Sequence, residues 1–222
     1  GRFRTVPFNA QERPMIGLIG KKIGMTQVFD DAGRLTPVTV IAVEPNKVVD
    51  RKTADEDGYD AVVLGYKDMK KIQITKPYAG QFPEGMAPTK VLREMRDFTG
   101  EAEIGRELGV SLFEGTRFVD VIAVSKGKGF QGVVKRWGFG GGRNTHGSKF
   151  HREPGSTGMS TYPHRTFKNK KMPGRMGRER VTVQNLKLVK IDVENGFMLI
   201  RGAVPGPRNC VVVVRSAVKK AK

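Results

Sequence analysis

The chain has 222 residues, 38% of them hydrophobic, which excludes a wholly disordered polypeptide and allows a sizeable core in one large domain or two small ones. Its 40 Lys and Arg against 22 Asp and Glu leave a formal charge of +18 and a pI near 10.2, more than solubility requires, so a polyanion is the expected partner. No run approaches the roughly 20 apolar residues of a membrane-spanning helix and no strong amphipathic basic helix is evident, so no membrane partner is expected and nucleic acid is favoured over lipid.

In chain order, residues 1–14, "GRFRTVPFNAQERP", lack the apolar core of a secretory signal and read as a basic arm, the other reading being a transit-peptide remnant. "MIGLIG" and "TQVFD" lead through the turn "DAG" into "PVTVIAVEPNKVV". There Val38, Val40, Ala42 and the residues between them are uniformly apolar, which predicts one buried strand. "DAVVLGYK", "GVSLF" and "RFVDVIAVS" predict further strands, while "TKVLREMRDF" is the best helix candidate because Val91, Leu92, Met95 and Phe98 could share a face. After residue 180, "VTVQNLKLVKIDV" and "FMLIRGAV" flank the hairpin signal Asn195-Gly196, and "NCVVVVRSAV" supplies a last strand. Cys210, the single cysteine, excludes an intrachain disulfide and reads as a buried strand residue. The tail lysines Lys219, Lys220 and Lys222 read as solvated.

Residues 126–180 differ from the rest. They carry 14 Lys and Arg against only Glu153 and Glu179, so two thirds of the excess charge sits in a quarter of the sequence. The same segment holds His146, His151 and His164, the only tryptophan, Trp137, and 12 of the 28 glycines. From Gly138 to Gly177 neither a helical nor a strand period survives, and a loop of that length in a compact domain is disordered or functional. Glycines, aromatics and prolines interleaved with charge argue for function, with ordering of the segment on its partner.

Gly127, Gly129 and Gly132 have the spacing G-x-G-x-x-G directly after a predicted strand, which raises a nucleotide-binding enzyme as one reading. A dinucleotide site needs a helix next, and "VVKRWGFGGGRNTHG" runs into glycines that each remove about 1 kcal/mol of helical propensity, so no helix is expected. The kinase-like form ending at Val134 lacks any following H-R-D or D-F-G. The better reading is a backbone that approaches phosphates closely while Lys126, Lys128, Lys135 and Arg136 neutralise them. Arg143, Lys149, Arg152, Arg165, Lys168, Lys170, Lys171, Arg175 and Arg178 extend that set of expected phosphate contacts. His146, His151 and His164 lack the cysteine or paired carboxylates of a zinc set, so no metal is expected, and they fit base stacking or phosphate bonding better. Trp137, Phe139, Phe150, Tyr162 and Phe167 are candidate stacking platforms, Trp137 being rather a local anchor. No serine has a recognisable base and orienting partner, so no catalysis, cofactor or small-molecule substrate is expected. A DNA-binding architectural protein remains the alternative, although no recognition helix or dimerisation heptad is present.

The blocks "MIGLIGKKIGMTQVFD", "PVTVIAVEPN", "DGYDAV", "TKPYAG", "VDVIAVSKGKGFQGVVKRWGF", "THGSKFHREPGSTG", "RTFKNKKMPGRMGRERVTVQNL" and "RGAVPGP" together resemble the universal L-three family of large-subunit ribosomal proteins, in its bacterial or organellar form. The resemblance runs from Met15 nearly to the C-terminus. It implies a mainly β fold: a translation-protein-like β-barrel body, 15–125 and 181–222, with a minor helix and a long irregular basic extension, 126–180, that penetrates RNA. It also implies direct binding to large-subunit ribosomal RNA early in assembly, neighbouring large-subunit ribosomal proteins as partners, and a cytoplasmic ribosome, or alternatively an organellar one. The extension tip nearest the peptidyl transferase region would be Ser156, Thr157, Gly158, Met159 and Ser160, within a stretch reaching His164. Where many bacterial relatives carry a glutamine that is methylated, this chain has Met159, so that modification cannot occur there.

Overall fold

The computed structural model describes residues 15–30, 32–100 and 102–220; the arm expected at 1–14 and Lys222 lie outside them. The chain folds as two compact units, one formed by Gly1–Val124 with Arg180–Lys222 and one by Ser125–Glu179.

The first unit is mainly β. Its strands are β1 (Gly17–Phe29), β2 (Leu35–Ala42), β3 (Asn46–Lys52), β4 (Ala61–Asp68), β5 (Thr89–Arg96), β6 (Glu107–Leu108) and β7 (Phe118–Val124). The second unit contributes β8 (Phe130–Gln131) and β9 (Gly174–Arg175), and the first unit resumes with β10 (Arg180–Asp192), β11 (Phe197–Arg201) and β12 (Val211–Ser216). A closed barrel runs β1-β12-β7-β10-β11-β2, and a second sheet runs β5-β4-β3-β6.

The barrel closes because its long strands bend. β1 and β10 each have 13 residues, and their registers shift at Lys22/Gly24, Val183/Leu186 and Leu188/Lys190; each extra residue sharpens the local twist. Side chains alternate across the wall. In β12, Val212 and Val214 are fully buried while Val211 and Val213 are half-buried on the other face. Leu18, Val38, Ile41, Val119, Val121, Met198 and Ile200 complete this core, each such side chain contributing about 1.5–3 kcal/mol.

Three buried polar groups hold the irregular places. Lys22 inserts its ammonium beneath the loop after β11, donating to the carbonyls of Val204 at 2.7 Å and Gly206 at 3.1 Å. Asn46, fully buried, joins the barrel to the second sheet: its Oδ1 accepts from Ile19 N–H at 2.9 Å, and its Nδ2 donates to Ile19 and Glu44 carbonyls. Asp120, also fully buried, accepts from the Asn185 N–H at 2.9 Å, where Asn185 is in the left-handed region at the β10 bulge, and from Val218 N–H at 3.3 Å.

Several expectations are corrected. The run 37–49 is two strands in different sheets, since Pro45 has no N–H to continue a ladder and Asn46 starts β3. The predicted helix at "TKVLREMRDF" is β5, paired with all of β4 from Asp68↔Thr89 to Ala61↔Arg96. Thr89 and Met95 are buried two-fold alternates, so the strand period fits these residues as well as the helical one, and the open edge of β4 decides. "GVSLF" is a 3₁₀ turn over Val110–Phe113, because burying both Val110 and Phe113 requires a three-residue repeat. Cys210 precedes β12 and is half-buried, its thiol pushed up from the ordinary value by burial. Lys220 places its ammonium 5.1 Å from the Phe118 ring rather than standing free. The hairpin at Asn195-Gly196 forms as expected, with Asp192 facing Phe197 across it.

Candidate nucleic-acid interface

The second unit begins and ends on a barrel ladder: the chain leaves after Val124 and returns at Arg180, its register partner. Within the unit the two limbs pair. Ser125 N–H donates to the Glu179 carbonyl at 2.8 Å, Lys128 and Met176 exchange with the opposite limb at 2.9 Å, and β8 pairs with β9 through Phe130↔Arg175 and Gln131↔Gly174. Gly177 is demanded by this ribbon. It has φ +75°, and a Cβ there would overlap the Lys126 carbonyl oxygen.

A five-residue helix, Val133–Trp137, follows, starting at Gly132 and closed by Gly138 at φ +72°. This corrects the expectation of no helix after the glycine triplet: glycines flank the single turn as caps rather than interrupting it. One turn is still too short to present the pyrophosphate site of a dinucleotide fold. Val133 is buried, and Trp137 anchors the turn by donating its indole N–H to the Met172 carbonyl at 2.8 Å. Arg136 Nη1 donates to the same carbonyl at 2.9 Å, with its guanidinium 4.9 Å from the Trp137 ring, and Lys171 Nζ lies 5.8 Å from that ring.

From Gly138 to Pro173 no strand or α-helix forms. The path is set by local bonds and left-handed residues instead: Gly142 N–H donates to the His151 carbonyl at 2.9 Å, His151 Nδ1 lies 2.9 Å from the Arg143 carbonyl, and His146, His164 and Asn169 have φ between 57° and 67°. Non-glycine residues in that region cost on the order of 1–3 kcal/mol each. At the expected tip, the Ser156 hydroxyl donates to the Gly158 carbonyl at 3.0 Å and accepts from its N–H at 3.3 Å.

The side chains singled out from sequence are nearly all on the surface. Lys126, Lys128, Lys135, Arg143, His146, Lys149, His151, Arg152, His164, Arg165, Lys168, Lys170, Lys171, Arg175 and Arg178 are exposed, whereas Arg136 is half-buried against Met172. Among the described residues none of these cations stands in a salt bridge to a carboxylate. That is the electrostatic character of the unit: dense positive charge without internal compensation. Exposed apolar side chains lie among the cations, with Met159 81%, Tyr162 82% and Phe167 64% exposed. Phe150 and Trp137 are partly uncovered, and Phe139 is half-buried. Phe130, 77% exposed, is a further ring that the stacking candidates read from sequence do not include; its place between two glycines in a cationic stretch is the available signal. Among the described residues no three His, Cys, Asp or Glu side chains gather as a metal set, and no helix is long and apolar enough to cross a membrane.

The chain is thus a barrel-based, mainly β protein with a cation-rich unit inserted between two paired strands. The profile of the family described as Ribosomal protein L3 matches residues 91–195. The large ribosomal subunit protein uL3 of Treponema denticola is 59% identical over 208 residues, spanning 94% of this chain and 100% of that protein. Its namesake in Treponema pallidum subsp. pallidum is 60% identical over the same shares, and that of Geobacillus kaustophilus is 50% identical over 93% of this chain and 97% of its own length. The chain belongs to the ribosomal protein L3 family, whose members are structural proteins and not enzymes.

Proposed function

We propose that this protein is a structural constituent of the large ribosomal subunit in the cytoplasm, and that it binds large-subunit ribosomal RNA directly through residues 126–180. The observation that carries the reading is the uncompensated charge: residues 126–180 hold two thirds of the formal excess, and their cations, all exposed but Arg136, have no carboxylate partner among the described residues. Helices of RNA repel one another until their phosphates are neutralised, so a backbone that turns at glycines and presents Lys and Arg in several directions serves as a fixed multivalent counterion. Tyr162, Phe167 and Phe130 offer rings on which unpaired bases stack, at about 1–3 kcal/mol each.

In this reading the body, 15–125 and 181–222, supplies the anchor and neighbouring large-subunit proteins pack on it. Residues 126–180 penetrate the RNA, the tip at Ser156–Ser160 supports the peptidyl transferase region, and binding early in assembly nucleates folding of the RNA. Ordering on RNA is assigned to the stretch from Phe139 to Lys171, which lies outside the ladder and the helix at the base of the unit. The test is competition on the full chain: large-subunit RNA fragments should displace bound RNA at concentrations where duplex DNA does not. Equal displacement by duplex DNA would favour an architectural DNA-binding protein instead.

A further inference from the structure

The first unit has a feature that the basic unit does not account for. A groove of about 590 Å³ lies over the outer face of β7 and β12, with β5 beside it. Its apolar lining includes Ile122, Val211 and Val213. Ile122 and Val213 are register partners, and their neighbours Val121, Val212 and Val214 fill the barrel core, so the groove residues occupy the opposite face.

The charges around this apolar surface are one-sided. Glu94, the only acid among the described residues that line the groove, accepts from the Tyr59 hydroxyl at 3.1 Å, and Arg96 stacks at 4.4 Å from the same ring. Three further guanidinium groups remain. Arg180 has no side-chain hydrogen bond or ion pair among the described residues, and Arg93 donates only to its neighbour's carbonyl, that of Leu92. Arg215 pairs with buried Asp120 at 3.6 Å and keeps its side chain partly exposed. Three guanidinium groups beside an apolar wall, of which only Arg215 has a carboxylate partner among the described residues, call for a ligand that is anionic at one end and apolar at the other.

We propose that this groove binds one unpaired nucleotide of RNA, its base against Ile122, Val211 and Val213 and its phosphates on Arg93, Arg180 and Arg215. The volume suits a single nucleotide and cannot admit a duplex, whose bases are paired away from such a wall. An acidic peptide would satisfy the guanidinium groups but would not use the apolar wall as a base does. The inference rests on the proposed RNA-binding function but puts a contact on the barrel unit, to which Arg180, the last residue of the 126–180 segment, belongs.

The experiment follows Ile and Val methyl resonances of the full chain as single-stranded hexauridylate is added. The Ile122, Val211 and Val213 signals should move together and saturate. The Arg93→Gln/Arg180→Gln variant should bind that site about 25-fold more weakly at 0.1 M salt, with a salt slope smaller by about 1.4, from two lost single-strand phosphate contacts. The corresponding double Lys variant should keep most of the affinity. Movement confined to Val133 and Val134 in the basic unit would overturn the groove assignment while leaving the proposed function standing; no movement anywhere would count against both. Stronger displacement by an acidic Glu/Leu heptapeptide, or groove signals that change on removal of residues 1–14 and then no longer respond to RNA, would also overturn it.

Discussion

Replacing Lys126, Lys128, Lys168 and Lys170 together by Gln tests the central electrostatic claim. All four side chains are exposed and none has a carboxylate partner among the described residues, so the fold loses no interaction. On a duplex-like charge density each phosphate contact contributes about 0.9 to the slope of log K against log salt. Four lost contacts reduce the slope by about 3.6, which at 0.1 M salt is a loss of about 4,000-fold, or about 5 kcal/mol. The assay is filter binding of the full chain to a large-subunit RNA fragment across a salt series. The control carries Gln at Lys70, Lys71, Lys76 and Lys90, equally exposed but outside the basic unit, and should change the slope little. An unchanged slope in the first variant, or equal losses in both, would refute the assignment of phosphate contact to residues 126–180.

Four further outcomes follow from the geometry. Lys22→Met should destabilise the chain by about 2–4 kcal/mol in chemical denaturation, since the Val204 and Gly206 carbonyls both lose their donor beneath the barrel loop. Gly177→Ala should open the base of the second unit, seen as faster hydrogen exchange at Lys128 and Met176, because a Cβ meets the Lys126 carbonyl and the left-handed backbone costs about 1–2 kcal/mol. Tyr66, buried with its hydroxyl unpaired, is pushed up to about 12 first by burial and then by the charge of Glu44. Its neutral form is the folded one, so its contribution is intact below pH about 10 and is lost as pH rises through about 12; Tyr66→Phe should remove that alkaline loss without destabilising the chain at pH 7. Asp192 is held below the ordinary carboxylate value by the Asn195 side-chain and backbone N–H donors, so the β10–β11 hairpin should keep this support above the unfolded carboxylate range and lose it as pH falls through the lowered value, and Asp192→Asn should abolish that acid dependence.

The strands around Asn195-Gly196 and the apolar runs of β4, β7 and β12 were legible in the sequence because short apolar runs and turn chemistry are local properties. So was the segregation of charge into residues 126–180, and the glycine-rich irregularity that accompanies it. Other assignments needed partners distant in the chain. "TKVLREMR" satisfies a helical and a strand period equally, and the edge of β4 selects the strand. The apolar run through Val43 is cut where Asn46 bonds Ile19 across the two sheets, a contact no local pattern announces. The helix Val133–Trp137 is fixed by Met172, 35 residues on from the indole that donates to it.

By itself, the sequence determined the class of fold, the location of the excess cations and the family resemblance, because composition, periodicity and motif order are written along the chain. The tertiary structure alone decided which strands close the barrel, that Arg136 spends part of its guanidinium on the protein, and that Arg93, Arg180 and Arg215 line one groove. The physical reason is that a cation's role depends on what faces it. A guanidinium against a carbonyl, against a carboxylate or against open space reads the same in one-letter code, and only the folded neighbours separate the three.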